Sequence, residues 1–208
     1  MPEVSVGYFL EDIAQEGFLT ALVARVACEA PPLAARDEVL SATGGAGVAV
    51  SELRRFLRDC RAGVVGPFGL LVVAIDTNCR GYSATRRQVQ DVIQAAQYGG
   101  PFALALPEPH IERWYLIDPP AFASALGVTA EPATPSRSCR MHQAKRALAA
   151  AFGELRPPLG GVEFAPDIVP RMDLYRATQR DRSFRLFVED LRQGFAPYRA
   201  VIAAGGRL

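Results

Sequence analysis

Acidic side chains follow apolar runs of the kind that form buried strands. Val4–Leu10 is followed by Glu11, and Gly69–Ile75 is followed by Asp76. The carboxyl ends of parallel strands meet at one edge of an α/β sheet, where such sheets place their ligands. Carboxylates that converge there repel one another unless a divalent cation neutralises them. We therefore form the hypothesis of metal-dependent phosphate chemistry at this edge.

Simpler structural roles stay open for the same acids and their neighbours. Glu11 is also suited to capping a helix, because a helix N-terminus stabilises negative charge. Asp76 and Asn78 are both residue types that favour turns. Further along the chain, Glu112 and Asp118 follow a third apolar run, and both are equally suited to ordinary surface or capping positions.

The periodicity of apolar residues predicts the elements that would position these acids. The order is β-α-loop-α-β-α-β, which predicts a parallel sheet flanked by helices, in the α/β class. Right-handed connections place the strand ends on one edge. The predicted elements are a strand at Val4–Leu10, a helix from Gln15 to about Cys28, an ambiguous stretch at 33–50, a helix capped by Ser51, a strand at Gly69–Ile75, a helix capped by Thr85 and a strand at Phe102–Leu106.

The last third of the chain predicts a helical cap on this sheet. Pro119–Leu126 indicates a short helix closed by Gly127, and 129–138 indicates an exposed loop. Helices follow at about 139–152 and 182–193, separated by a stretch rich in Pro and Gly. We therefore expect a single domain over 1–208, with a core at about 1–127 and a cap at about 128–208.

Composition narrows the partners and the compartment. The net charge of +1 gives no overall basic field for nucleic acid, and 22 of the 23 basic residues are arginine, so that Lys145 is the single lysine. The four cysteines have no metal-ligand spacing. No signal peptide and no membrane-spanning apolar run are evident. We expect a soluble, cytoplasmic protein that is not inserted in a membrane.

Three stretches resemble a known family. They are Phe9–Phe18, Val72–Asn78 and Pro109–Asp118, with Arg182–Phe187 as a fourth, weaker match. Together they resemble the TOPRIM fold, in which a Glu after the first strand and an Asp-x-Asp after a later strand bind divalent metal. The nearest resemblance is to small bacterial proteins related to the nuclease domain of overcoming-lysogenization-defect (OLD) proteins.

This resemblance implies phosphodiester cleavage by a metal-activated water. Glu11 and Asp76 would hold Mg²⁺ or Mn²⁺ through hard oxygen ligands. Glu112 and Asp118 would hold a second ion or orient the water. Lys145 would offset charge on the phosphate, since a lysine beyond the acidic motifs is implicated in OLD-type nucleases. The implied biological role is defence against mobile DNA.

One residue departs from the family pattern. Asn78 stands where the family has the second Asp, and an Asn can ligate through its carbonyl but brings no charge. Two hypotheses follow. The chain is a metal-dependent nuclease or related phosphoesterase acting on nucleic acid or a smaller ester, or it is a catalytically degenerate TOPRIM-like module that partners an ATPase or another protein. The oligomeric state stays open.

Overall fold

A computed structural model describes residues 1–41, 46–78, 80–127, 143–153 and 157–207. In these residues, four strands form one sheet in the order β2-β1-β3-β4, and every neighbouring pair is parallel. The α/β prediction is therefore confirmed, and the strands end on one edge. The strands are β1 (Glu3–Leu10), β2 (Ala34–Ser41), β3 (Leu70–Ala74) and β4 (Phe102–Ala105).

Helices cover both faces of the sheet, because the central strands bury side chains on both sides. Residues of even number in β3 pack on one face with α1 and α9, and Leu71 and Val73 pack on the other with α2 and α3. No helix in the described residues is long and apolar enough to cross a membrane. The helices are α1 (Ile13–Ala27), α2 (Ala46–Arg61), α3 (Tyr82–Ala95), α4 (Glu112–Tyr115), α5 (Pro119–Leu126), α6 (Gln143–Ala151), α7 (Ala165–Ile168), α8 (Leu174–Arg180) and α9 (Arg182–Ala203).

The ambiguous stretch at 33–50 contains a complete strand. β2 pairs with β1 along its whole length, from Ala34 beside Glu3 to Ser41 beside Leu10. It is an edge strand, and its centre carries exposed charged residues at 36–38. An edge strand of this kind lacks the continuous apolar run that marks a central one, because charge on an edge discourages pairing with other chains.

Two helix starts differ from the prediction. Ser51 lies inside α2, where its Oγ donates to Val48 O at 2.7 Å rather than capping the helix. Thr85 lies inside α3, whose N-cap is Gly81, and its Oγ1 donates back to Gly81 O at 3.1 Å. Thr and Ser side chains make such backward bonds within helices as readily as they cap them.

The C-terminal helices lie against the sheet, as predicted, but α9 is longer than 182–193 and continues through Pro197. It lies close to the strands, since a Cβ on Gly194 would stand 2.6 Å from Leu70 Cδ1. Asp190 Oδ2 also accepts the N–H of Leu104 at 3.4 Å and so covers the outer edge of β4. The predicted loop at 129–138 and the start of the helix predicted at 139–152 lie outside the described residues.

Candidate functional site

Glu11 and Asp76 meet just beyond the ends of the neighbouring strands β1 and β3. The backbone N–H of Glu11 donates to Ala74 O at 3.1 Å, and the N–H of Asp76 donates to Glu11 Oε2 at 2.9 Å. Asp12, the next residue, caps α1 by accepting the N–H of Ala14 at 3.0 Å. The capping role thus falls to Asp12, which leaves the Glu11 side chain turned toward Asp76.

Two side chains hold the Asp76 carboxylate, which is 10% exposed. Gln15 Nε2 donates to its Oδ1 at 3.0 Å, and His110 Nδ1 lies 3.0 Å from its Oδ2. Gln15 Oε1 also accepts the N–H of Glu11 at 3.0 Å. Gln15 therefore fixes the segments that carry both acids relative to each other.

The chain after β4 runs beside the chain after β3, which brings Glu112 to the same edge. The N–H of Asn78 donates to Pro109 O at 3.0 Å, so that Glu112 begins the short helix α4 close to Asp76. The Glu112 side chain is 6% exposed, and its Oε2 is buried and accepts no hydrogen bond from the described residues. A buried carboxylate oxygen without a partner is uncommon, and a bound water or ion is one way to satisfy it.

Buried polar contacts to α9 hold α4 in place. Arg113 Nε donates to Asp181 Oδ2 at 2.8 Å, and Trp114 Nε1 donates to Ser183 Oγ at 3.1 Å. Trp114 is fully buried in the core. Glu112 is therefore carried on a rigid support, as a binding site requires.

Lys145 reaches the acids from α6. Its Nζ lies 3.5 Å from Glu112 Oε1 and 3.9 Å from Asp12 Oδ2, and its side chain is 43% exposed. A cavity of about 300 Å³ adjoins Asp12, Glu112 and Lys145. We call the group Glu11, Asp12, Asp76, His110, Glu112 and Lys145 the carboxylate cluster.

The carboxylate cluster holds more negative charge than its cations balance. Burial, followed by repulsion from Asp76, raises the pKa of Glu11 to about 7. Burial raises the pKa of Glu112 as well, although Lys145 acts in the opposite direction. The hydrogen bond with Asp76 raises the pKa of His110 and favours its protonated form. An added cation would therefore be electrostatically favoured here.

The donor set fits a hard divalent cation such as Mg²⁺ or Mn²⁺, which prefers carboxylate oxygens. Within the described residues, no group of three or more His, Cys, Asp and Glu side chains is arranged to hold a metal ion as it stands. Each ionised carboxylate has about four acceptor sites. Asp76 uses two in the contacts above and Glu11 uses one, while Glu112 Oε2 uses none. Each of these three acids therefore keeps acceptor positions that its contacts with the described residues do not use.

Two of the residues predicted from sequence lie apart from the cluster or turn away from it. Asn78 adopts a left-handed φ of 48°, and its Nδ2 donates to Asp76 O at 3.1 Å, as a turn residue does. Asp118 is fully buried, where it accepts the N–H of Asp173 at 2.7 Å and pairs with Arg176 at 3.0 Å. The hydrogen bond of Asn78 supports the turn role left open for it, whereas the surface and capping roles left open for Asp118 are wrong, because its side chain is buried and makes no capping bond to α5.

No family model, curated protein or solved structure matches this chain. We therefore infer the function from the geometry of the carboxylate cluster.

Sequence patterns did not predict the contacts of Gln15 and His110 with Asp76. Gln15 lies four residues after Glu11, a separation of about one helical turn. His110 comes two residues before Glu112, between the third strand and α4. Its sequence neighbours give no sign of contact with Asp76, because that contact arises only when β3 and β4 lie side by side.

Proposed function

We propose that this chain is a divalent-metal-dependent phosphodiesterase whose active site is the carboxylate cluster. The observation that carries the proposal is the convergence of Glu11, Asp76 and Glu112 at one sheet edge, with a buried oxygen of Glu112 left without a described partner. Acids held together against their mutual repulsion favour a cation, and a cation beside a lysine favours a phosphate ester.

The residues of the cluster would divide the work. Glu11, Asp76 and Glu112 would hold Mg²⁺ or Mn²⁺, which when bound lowers the pKa of a water and polarises a phosphate oxygen. Lys145, half-exposed beside the adjoining cavity, would place its charge against a phosphate oxygen. His110 would keep Asp76 oriented through the bond to Oδ2.

A second candidate is a TOPRIM-like module that binds a protein partner, such as an ATPase, without turnover. The observation that favours it is the side chain of Asn78, which bonds to the backbone oxygen of Asp76 and adds no negative charge to the cluster. Removal of one carboxylate weakens affinity for a divalent cation, since ligand charge tunes that affinity.

Hydrolysis of bis(p-nitrophenyl) phosphate separates the two candidates. With Mn²⁺ present, the wild type should release p-nitrophenol, and EDTA should stop the release. Glu11→Gln and Asp76→Asn should each lower kcat/KM by about 100-fold, a typical loss for one group that stabilises developing charge. Glu16→Gln, on the same helix as Gln15 but outside the cluster, is the matched control and should keep the wild-type rate. Metal-independent hydrolysis, or equal rates in all variants, would refute the proposed enzyme.

A further inference from the structure

A groove leads away from the carboxylate cluster between α2 and α3. It consists of three adjoining cavities of about 160, 470 and 270 Å³. The first is lined by Asp76 and shares Gln88 with the second, and the second shares Arg54 with the third. The three cavities therefore form one continuous surface, which we call the α2–α3 groove, with the proposed active site at one end.

Facing stripes of the two helices line this groove. On α2, Ser51, Arg54 and Arg58 are spaced three and four residues apart, so they share one helix face. On α3, Arg87 lines the groove together with small alanine side chains of the same helix. Small residues between long cationic ones leave room for an extended ligand.

The arginines of the groove are available for a ligand. Arg54, Arg58 and Arg87 are exposed, and no side-chain hydrogen bond or ion pair joins them to a residue that the structure describes. Arg80 lies at the end near Asp76, where its guanidinium donates to the neutral Gln88 Oε1 at 3.0 Å.

Several arginines outside the groove pair with acids. Arg86, on the same helix as Arg87, pairs with Asp190 at 3.3 Å, and Arg192 pairs with Glu29 at 2.6 Å. Apart from Asp76 of the carboxylate cluster, the described acid that lines the groove is Asp91. It is therefore a local basic surface on a chain whose net charge is only +1.

We propose that the α2–α3 groove binds a single phosphodiester strand and leads it to Asp76. This inference rests on the proposed function, and it identifies the substrate as a polymer rather than a small ester. Exposed guanidinium groups suit phosphate oxygens, which they bind in a bidentate manner. A row of such groups along a groove follows a backbone and does not select a base sequence. Because the cavities are of about 160 to 470 Å³, we take the occupant to be one extended strand rather than a duplex.

Fluorescence anisotropy with a fluorescein-labelled single-stranded DNA of about 15 nucleotides tests the proposal. The measurement is made on the full chain in EDTA, so that binding is separated from cleavage. The variant R54E/R58E/R87E should bind at least about tenfold more weakly than the wild type, and its slope of log affinity against log salt should be shallower by about 2. The matched control R55E/R185E/R207E makes the same charge change at exposed arginines outside the groove and should stay within about twofold of the wild type.

Other probes identify what the groove recognises. An RNA strand of the same length has the same phosphodiester backbone chemistry. Its binding in the groove, whether stronger or weaker than that of DNA, supports the proposal. The stronger of the two shows which nucleic acid the groove prefers. Duplex DNA that binds as tightly as the single strand would overturn it. Displacement of the strand by polyglutamate as effectively as by unlabelled strand would also overturn it, because the surface would then be generally anion-binding. Equal losses in the groove variant and the control would have the same meaning.

Failure of the groove and failure of the proposed enzyme are distinguishable. Hydrolysis of bis(p-nitrophenyl) phosphate by the wild type reports on the carboxylate cluster, whereas the strand affinity of R54E/R58E/R87E in EDTA reports on the groove. Hydrolysis of this small diester without groove-dependent strand binding would refute the groove alone. Groove-dependent strand binding without hydrolysis of the diester would refute the enzyme and leave the groove as a binding surface.

Discussion

Glu11→Gln is expected to stabilise the protein above neutral pH. In the folded chain, burial and Asp76 raise the pKa of Glu11 from 4.5 to about 7. A raised pKa means that the contribution of this group to stability is fully present below the unfolded pKa and is lost as pH rises through the folded pKa. Gln cannot ionise, and its amide oxygen can still accept the N–H of Asp76. The variant should therefore gain on the wild type between about pH 4.5 and 7.

The size of the effect follows from the shift of the pKa. A rise from 4.5 to about 7 corresponds to about 3 kcal/mol, at about 1.4 kcal/mol per pH unit. Solvent reaches part of the Glu11 side chain and screens the charge, so we expect about half of this, or about 1.5 kcal/mol. For a chain of this length, that difference raises the Tm by about 3–6 °C.

Thermal unfolding followed by circular dichroism, in EDTA and at intervals from about pH 4.5 to 8.5, measures the difference. Glu16→Gln, which removes a carboxylate of α1 outside the carboxylate cluster, is again the control. In a parallel series with Mn²⁺, the wild type should gain stability through ligand binding and the advantage of Glu11→Gln should shrink.

Two results would refute this reasoning. Glu11→Gln would lower the Tm by the same amount at every pH if Glu11 were only a structural acceptor for the Asp76 N–H. An advantage of the same size at about pH 4.5 and 8.5 would show that ionisation of Glu11 is not its source.

Three further outcomes are expected. Asp118→Ala should lower the free energy of unfolding by about 3 kcal/mol in urea titration, because Asp118 is buried and pairs with Arg176, and it should leave Mn²⁺ affinity unchanged. Gly7→Ala should lower that free energy by about 1–3 kcal/mol, since a Cβ there would stand 2.6 Å from the ring of Phe68. Lys145→Met should lower kcat for the diester by about 100-fold without weakening Mn²⁺ binding in calorimetry, because a neighbouring cation stabilises phosphate charge but competes with the metal.

The sequence predicted the sheet edge because the central strands are continuous apolar runs. Every residue of β3 is buried, so its apolar run stands out and its end is well defined. The pairing of Glu11 with Asp76 follows once β1 and β3 are parallel neighbours, although no pattern states that they are neighbours. β2 escaped prediction because its exposed charged centre hides the strand pattern.

Asp118 shows why an acid close in sequence to a site is hard to assign. It lies six residues after Glu112, yet α4 and α5 turn it toward Arg176, which is 58 residues away along the chain. A buried carboxylate takes whichever cation the tertiary structure offers, and that choice is not local. The roles of Gln15 and His110 are not local in sequence either, because they depend on the contact that each makes with Asp76 in the folded chain.

Calorimetric titration of Mn²⁺ into the full chain at about pH 8, where Glu11 is ionised, tests the central claim most directly. We expect saturable binding to the wild type, an affinity at least about tenfold lower in Glu112→Gln, and wild-type affinity in Glu16→Gln. The Glu112 variant is the sharpest choice, since the buried Oε2 of that residue has no partner among the described residues to lose. Mn²⁺ binding that is absent from the wild type, or equally strong in Glu112→Gln, would contradict the central claim.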